Sequence, residues 1–110
     1  GRTFTPNGSN SSAGTDHAWG GHVMMMGGMV NGGGFYGTHP DLQLGQGLDA
    51  DKQRGRWIPT TSVAQCSALA ANWMGVPEEE LGQIFPSLAN FDSPFETAAN
   101  LDIIAQGASA

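Results

Sequence analysis

Apolar positions in the first half of the chain come in short runs that are bounded by glycines. Residues 22–26, from His22 to Met26, form a continuous mostly apolar run that is closed by Gly27 and Gly28. This length and these boundaries favour a buried strand over a helix. The methionines of the run could bind a soft metal such as copper, whereas core packing by an adaptable apolar side chain is the simpler interpretation.

A second pattern predicts a pair of short strands. Residues 29–30 and 35–37 flank the glycine-rich segment 31–34, which is typical of a strand, a tight turn and a second strand. Segments 4–15 and 38–55 have no apolar period and are rich in Gly, Asn, Ser and Pro or in charge. We therefore expect both of these segments to be surface loops.

The second half of the chain carries helical spacing. Thr60 or Thr61 can cap a helix that Gly75 ends. Its predicted inward stripe recurs at intervals of three and four residues and consists of Val63, Cys66, Ala70, Trp73 and Met74. Small side chains flank that stripe at Ala64, Ala68 and Ala71, which indicates close packing against a neighbouring element.

Two shorter helices follow in the prediction. Pro77 and the acidic residues 78–80 begin one of them, with Leu81 and Ile84 facing inward, and it ends at residues 85–86. The other spans residues 97–106, and residues 107–110 are expected to fray. The connection between these helices offers three apolar anchors: Leu88, Phe91 and Phe95. The sequence thus predicts a mixed α/β fold in residues 1–110, a single or partial domain with Gly-rich strands and loops first and helices after.

Composition excludes some functional classes. The 110 residues carry a formal net charge of −6 with only four Lys plus Arg, so a nucleic-acid partner is not expected, since binding phosphates requires basic side chains. No apolar run approaches the roughly 20 residues of a membrane span, so no membrane partner is expected either. Cys66 is the only cysteine, which rules out an intrachain disulfide, and we expect it to be a small buried residue on a helix.

The candidate chemistry lies in the segment 14–22. Asp16 and His17 are adjacent, and His22 follows after Gly20 and Gly21, which would let the chain fold back toward the same site. Zinc accepts both carboxylate oxygen and imidazole nitrogen, and a loop dipeptide can reach two ions lying about 3.5–4 Å apart. The alternative is structural: a surface histidine, and an aspartate that accepts backbone N–H bonds in a loop.

Several motifs, taken in order, resemble one bacterial family. They are the segments 1–8, 14–22, 33–37, 54–62 and 73–76 and the tripeptide 84–86. Together they resemble the family called domain of unknown function 1501, over about residues 1–92, whereas residues 93–110 look unlike its usual ending. The resemblance implies a branch of the alkaline phosphatase and sulfatase superfamily, and hence the C-terminal part of an α/β sandwich around a metal site.

The resemblance also implies roles for individual residues. Asp16 and His17 would each give one ligand to one of two divalent metal ions such as zinc, and His22 is a candidate further ligand. Under the same hypothesis Arg2 could lie close enough to assist an anionic group, and the simpler alternative for Arg2 is a structural ion pair. In that superfamily the nucleophile and the first metal-binding aspartate come from the N-terminal part. The chain would then be a C-terminal fragment that is inactive alone, has no catalytic residue of its own, and derives from a periplasmic or exported hydrolase of small anionic esters.

A second hypothesis needs no chemistry. The chain could be a non-catalytic binding or assembly module that keeps the Asp16–His17 pair only for structural reasons. A piece of a larger sheet would expose apolar surface at Met24, Met26, Trp73 and Phe91, and such a surface invites self-association. We therefore expect a homo-oligomer.

Overall fold

The longest helix lies where the sequence predicts one. The computed structural model of the chain describes residues 1–51, 53–92 and 102–105, and in it α1 spans Val63–Trp73. Its N-cap is Ser62, one residue beyond the nearer predicted cap. The Ser62 hydroxyl accepts the Gln65 backbone N–H, and the Gln65 side chain accepts the Ser62 N–H, which completes a capping box. Gly75, at a φ of 107°, follows the helix end as predicted.

The buried face of α1 is not the predicted stripe. Val63, Trp73 and Met74 are exposed, Trp73 by 55%, whereas Gln65, Ala68 and Leu69 are buried. The three- and four-residue spacing of apolar residues correctly grouped side chains on one face of the helix. The face that packs against the rest of the unit is a different one, which carries Ala64, Ala68 and Ala71. Small side chains let the backbone of α1 approach its neighbour closely, so the flanking alanines rather than the larger residues line the contact.

The segment after α1 supplies that neighbour. A 3₁₀ turn, Glu78–Glu80, leads directly into the short helix α2, Leu81–Ile84, and a second 3₁₀ turn spans Pro86–Asn90. Ala68, Leu81 and Leu88 form one buried cluster, against which Ala64, Ala71, Val76 and Phe85 pack. Leu81 and Leu88 are thus buried as predicted, whereas Ile84 and Phe91 are exposed. Phe95 lies outside the described residues.

The predicted strands are wrong. Within residues 1–51, 53–92 and 102–105 there is no strand or sheet, only three isolated antiparallel bridges, so the mixed α/β fold and the α/β sandwich are both contradicted. Met24 and Met26, which the strand prediction buries and the self-association hypothesis exposes, are 89% and 90% exposed. A strand requires a neighbour that pairs with its backbone N–H and C=O groups, and no described segment pairs with residues 22–26.

In the predicted strand pair, residues 29–30 do not pair with residues 35–37 but with residues 103–105. Asn31 N–H donates to the Ile103 carbonyl at 2.8 Å, and Ala105 N–H donates to the Met29 carbonyl at 2.8 Å. Residues 103–105 therefore pair with residues 29–31, and residues 102–105 are not helical, which corrects that part of the predicted helix 97–106. The rest of that predicted helix and residues 107–110 lie outside the described residues.

The chain divides into two compact units. The first comprises residues 1–23 and 38–60, and Thr3 and Trp57 are buried in it, with Phe4 packed edge-on to Trp57 at 5.3 Å between ring centroids. The second comprises residues 24–37 and the chain from residue 61, and contains both helices. A second cluster there joins Leu69 and Ile104 with Met29 and Ile103. Across the described ranges no helix has the length and apolar character needed to cross a membrane.

Candidate functional site

Asp16 and His17 are held in an extended backbone by the first residues of the chain. Thr3 N–H donates to the Asp16 carbonyl and Ala18 N–H to the Gly1 carbonyl, each at 3.0 Å, and Arg2 and His17 form an antiparallel bridge. Successive side chains of an extended segment point to opposite sides. The pairing therefore directs the carboxylate and the imidazole away from each other.

The Asp16 carboxylate is bound on both oxygens. Its Oδ1 accepts from Asn7 Nδ2 at 3.0 Å and its Oδ2 from Arg54 Nη2 at 2.7 Å. Hydrogen bonds from Asn7 and Arg54 lower the pKa of Asp16 below its ordinary value of 3.8. The side chain is 35% exposed, so Asp16 is a partly accessible anion at neutral pH.

Asn7 reaches Asp16 because a small loop holds it in place. Its side-chain Oδ1 accepts the Gly14 N–H at 3.0 Å, and its own N–H donates to the Gly14 carbonyl at 2.7 Å. Within the loop, Asn10 Oδ1 accepts the Ser12 N–H and hydroxyl. This region, expected to be a surface loop, is thus a hydrogen-bonded loop that delivers an amide to Asp16.

The three histidines are all exposed, and two of them meet. The His22 ring is stacked on the His39 ring with 6.0 Å between centroids and 22° between planes. His39 had no predicted role, and His22 was predicted as a ligand beside Asp16 and His17. No three His, Cys, Asp or Glu side chains within the described ranges form a group that could hold one metal ion.

The predicted ligands therefore have donor atoms that suit a metal ion, but they are too few to form a metal site. Zinc accepts the oxygen and nitrogen donors that Asp16 and His17 offer, but catalytic zinc sites use three protein ligands and structural sites four. Both Asp16 oxygens also already accept hydrogen bonds, one of them from a guanidinium. The described residues therefore do not make a complete metal site by themselves.

Arg2 lies beside the same segment. Its Nη1 donates to the Thr15 carbonyl at 2.9 Å, and the residue is exposed. The other two arginines are paired with carboxylates: Arg54 with Asp16, and Arg56 with Asp51 at 3.4 Å. Within the described ranges Arg2 is thus the arginine without a carboxylate partner.

Asp49, to which the sequence analysis assigned no role, organises the loop that carries Arg54. Its carboxylate accepts four backbone N–H groups at 2.9–3.1 Å, those of Gly45, Asp51, Gly55 and Arg56. The bond from Gly45 first, then those from the other three, lower the pKa of Asp49 below 3.8. All four partners lie within seven residues of Asp49, and the bond from Asp51 N–H, two residues on, is the Asx-turn pattern that a sequence can indicate.

Comparison of the chain with known protein families, with curated proteins and with solved structures found no match in any of the three.

Proposed function

We propose that this chain contributes Asp16 and His17 as ligands to a metal centre of a phosphatase- or sulfatase-like hydrolase, and that it is inactive alone. The observation that carries the proposal is the extended pairing of residues 1–3 with residues 16–18. It presents an ionised carboxylate on one side of the backbone and an exposed imidazole on the other. Two such donors can each serve a different ion.

The surroundings of Asp16 support this proposal. The carboxylate stays charged at neutral pH because Asn7 and Arg54 hold its pKa low, and metal ligands must be deprotonated. Two oxygens have about four lone-pair positions, so two hydrogen bonds leave positions for an ion. Arg2, which has no described carboxylate partner, is close enough in the backbone pairing to favour an anionic ester near His17.

The remaining ligands and the nucleophile would come from polypeptide outside these 110 residues, as in the superfamily that the sequence resembles. When bound, the metals would stabilise negative charge on the ester oxygens and activate the nucleophile. His22 remains a candidate further ligand of this centre. The substrate class is a small anionic ester, and the family resemblance places such enzymes in the periplasm or outside the cell.

Zinc affinity of the chain itself tests the ligand roles. Calorimetry should compare the His22→Ala/His39→Ala chain with the same chain carrying Asp16→Asn and His17→Gln. We expect weak binding in the first and a loss of at least about 10-fold in the second, because both donors are gone. Glu79→Gln, an exposed acid in a 3₁₀ turn, is the matched control and should change nothing. Equal affinity in the first two proteins would exclude Asp16 and His17 as ligands here.

Catalysis requires a longer chain. A member of the resembled family several hundred residues long should hydrolyse phosphate or sulfate monoesters, and replacing its Asp-His pair should cost more than the roughly 10–100-fold that loss of an outer-shell partner costs. Unchanged turnover after that replacement would end the proposal, even if zinc binding by the short chain had been found.

A second candidate function is self-association without chemistry. Met24, Met26 and Phe35 in the second unit are almost fully exposed, and Val63, Trp73 and Met74 are exposed on or just after α1. Exposed large apolar side chains favour association where they form a contiguous patch. Sedimentation velocity over a range of concentrations tests the candidate: a homo-oligomer is expected, and a monomer at all concentrations would rule it out.

A further inference from the structure

The stacked pair of histidines is separate from the Asp16–His17 segment in its contacts. His22 follows the two glycines 20–21, and His39 precedes Pro40 in the next part of the same unit. Both residues are exposed, and their rings lie 6.0 Å apart between centroids. The fold therefore brings two imidazoles from distant sequence positions to one place on the surface.

The tautomer of His39 is fixed by a backbone carbonyl. His39 Nδ1 lies 3.0 Å from the Pro40 carbonyl oxygen. Since a carbonyl oxygen can only accept, Nδ1 carries the proton, and the neutral ring keeps its lone pair on Nε2. Histidines that bind metals commonly use this arrangement, in which the nitrogen that does not bind the metal donates to a carbonyl or carboxylate. This bond is independent of the stacking and prepares Nε2 as a ligand atom.

The separation of the rings suits one shared ion. With a Zn–N distance of about 2.0–2.1 Å, the ring centre lies about 3.2 Å from the metal, so two rings on one ion have centroids about 5–6 Å apart. The observed 6.0 Å lies at the wide end of that range. The ring planes are only 22° apart, so their in-plane lone pairs do not converge in this arrangement. With His39 held by its Nδ1 bond, the exposed His22 ring must turn for both imidazoles to bind the same ion.

We propose that His22 and His39 form a two-imidazole site for a divalent transition-metal ion of the borderline class, Cu²⁺ in preference to Zn²⁺, with water as the remaining ligands. Imidazole suits both ions, and Cu²⁺ binds a given nitrogen site more tightly than Zn²⁺ does. The proposal uses neither Asp16 nor His17, and it assigns His22 to this site rather than to the hydrolase centre.

Metal titration of single variants tests this site. In a background with Cys66→Ser, which removes the thiol as a competing ligand, and Asp16→Asn with His17→Gln, which removes the other proposed ligands, one Cu²⁺ should bind per chain, more tightly than Zn²⁺. His22→Ala and His39→Ala should each lower the affinity at least about 10-fold, whereas Glu79→Gln, an acid in a 3₁₀ turn, should leave it unchanged. If His39→Ala binds like the parent, or if Glu79→Gln loses as much affinity, the proposal is wrong.

Imidazole NMR spectra give a second measurement that does not require the loss of a side chain. In the metal-free protein His39 should show the Nδ1–H tautomer, and Zn²⁺ should shift the ring signals of His22 and His39 together. An Nε2–H tautomer of His39, or a shift confined to one ring, would overturn the assignment. Because these signals belong to three separate residues, failure of this site and failure of the Asp16–His17 proposal are distinguishable.

Discussion

Single residues in the first unit fix the backbone around Asp16. Gly55 is buried at a φ of 75°, between the Arg54 that binds Asp16 and the buried Trp57. A Cβ at Gly55 would lie 2.6 Å from Phe4 Cβ and 3.1 Å from Leu44 Cδ2. The position therefore needs glycine for two reasons, its left-handed conformation and the close approach of Phe4.

Replacement of Gly55 by alanine should destabilise the first unit clearly. The left-handed conformation costs about 1–2 kcal/mol in a residue with a Cβ, and the forced contact with Phe4 adds about 1–3 kcal/mol. Gly47→Ala is the control, since Gly47 has a φ of 55° but no atom within 4 Å of an added Cβ. Urea unfolding followed by tryptophan fluorescence should show the larger loss for Gly55→Ala, and equal losses would contradict the packing argument.

Asp16 and Asp49 show the limit of sequence reasoning at this scale. The segment around Asp16 could be selected from its residue types and glycine flanks, but its partner Arg54 lies 38 residues away and meets it only after a loop closes. Asp49 binds four backbone N–H groups within seven residues of itself, of which only the Asp51 N–H follows a known turn spacing, and the fold of the loop brings the other three to the same carboxylate. Residue types can be assigned from a sequence, whereas partners set by loop geometry cannot.

At the scale of elements, local signals predicted the position of a helix better than apolar spacing predicted its buried face. The position of α1 could be predicted because its cap and its glycine stop act within a few residues. Which of its faces is buried depends on what lies opposite, and the close approach of residues 81–88 selects the alanine side. The predicted strands failed for a related reason, since strand formation depends on a distant pairing partner that the run itself does not specify.

Substitutions at the N-cap of α1 test where the helix begins. Ser62→Ala removes the hydroxyl that accepts the Gln65 N–H and should destabilise the helix by about 1 kcal/mol. Thr60→Ala, at one of the predicted caps, should cost less than about 0.5 kcal/mol because this exposed residue makes only a long bond of 3.5 Å to the Thr38 carbonyl. Hydrogen exchange of the α1 amides measures both, and a larger effect at Thr60 would mean that the helix starts earlier.

For the whole molecule, charge and apolar exposure act against each other. The net charge of −6 makes copies of the chain repel one another, while the exposed methionines and aromatic residues favour association. Salt screens the repulsion, and a fall in pH toward the isoelectric point of about 4.6 removes it. Composition alone therefore predicts the direction of both effects, although only the structure shows which apolar side chains are uncovered.

Association should accordingly strengthen between pH 7 and pH 5 and with added salt. The fold should persist over that range, because the pKa values of Asp16 and Asp49 are lowered from 3.8 and the stability that they contribute is present above that value. It is lost only as the pH falls through their lower folded-state values, so acid unfolding should come after the rise in association. Sedimentation and circular dichroism along one pH series separate the two events.

Met24→Gln with Met26→Gln should weaken the association without moving the acid transition, and a shift of that transition instead would show that the methionines are structural.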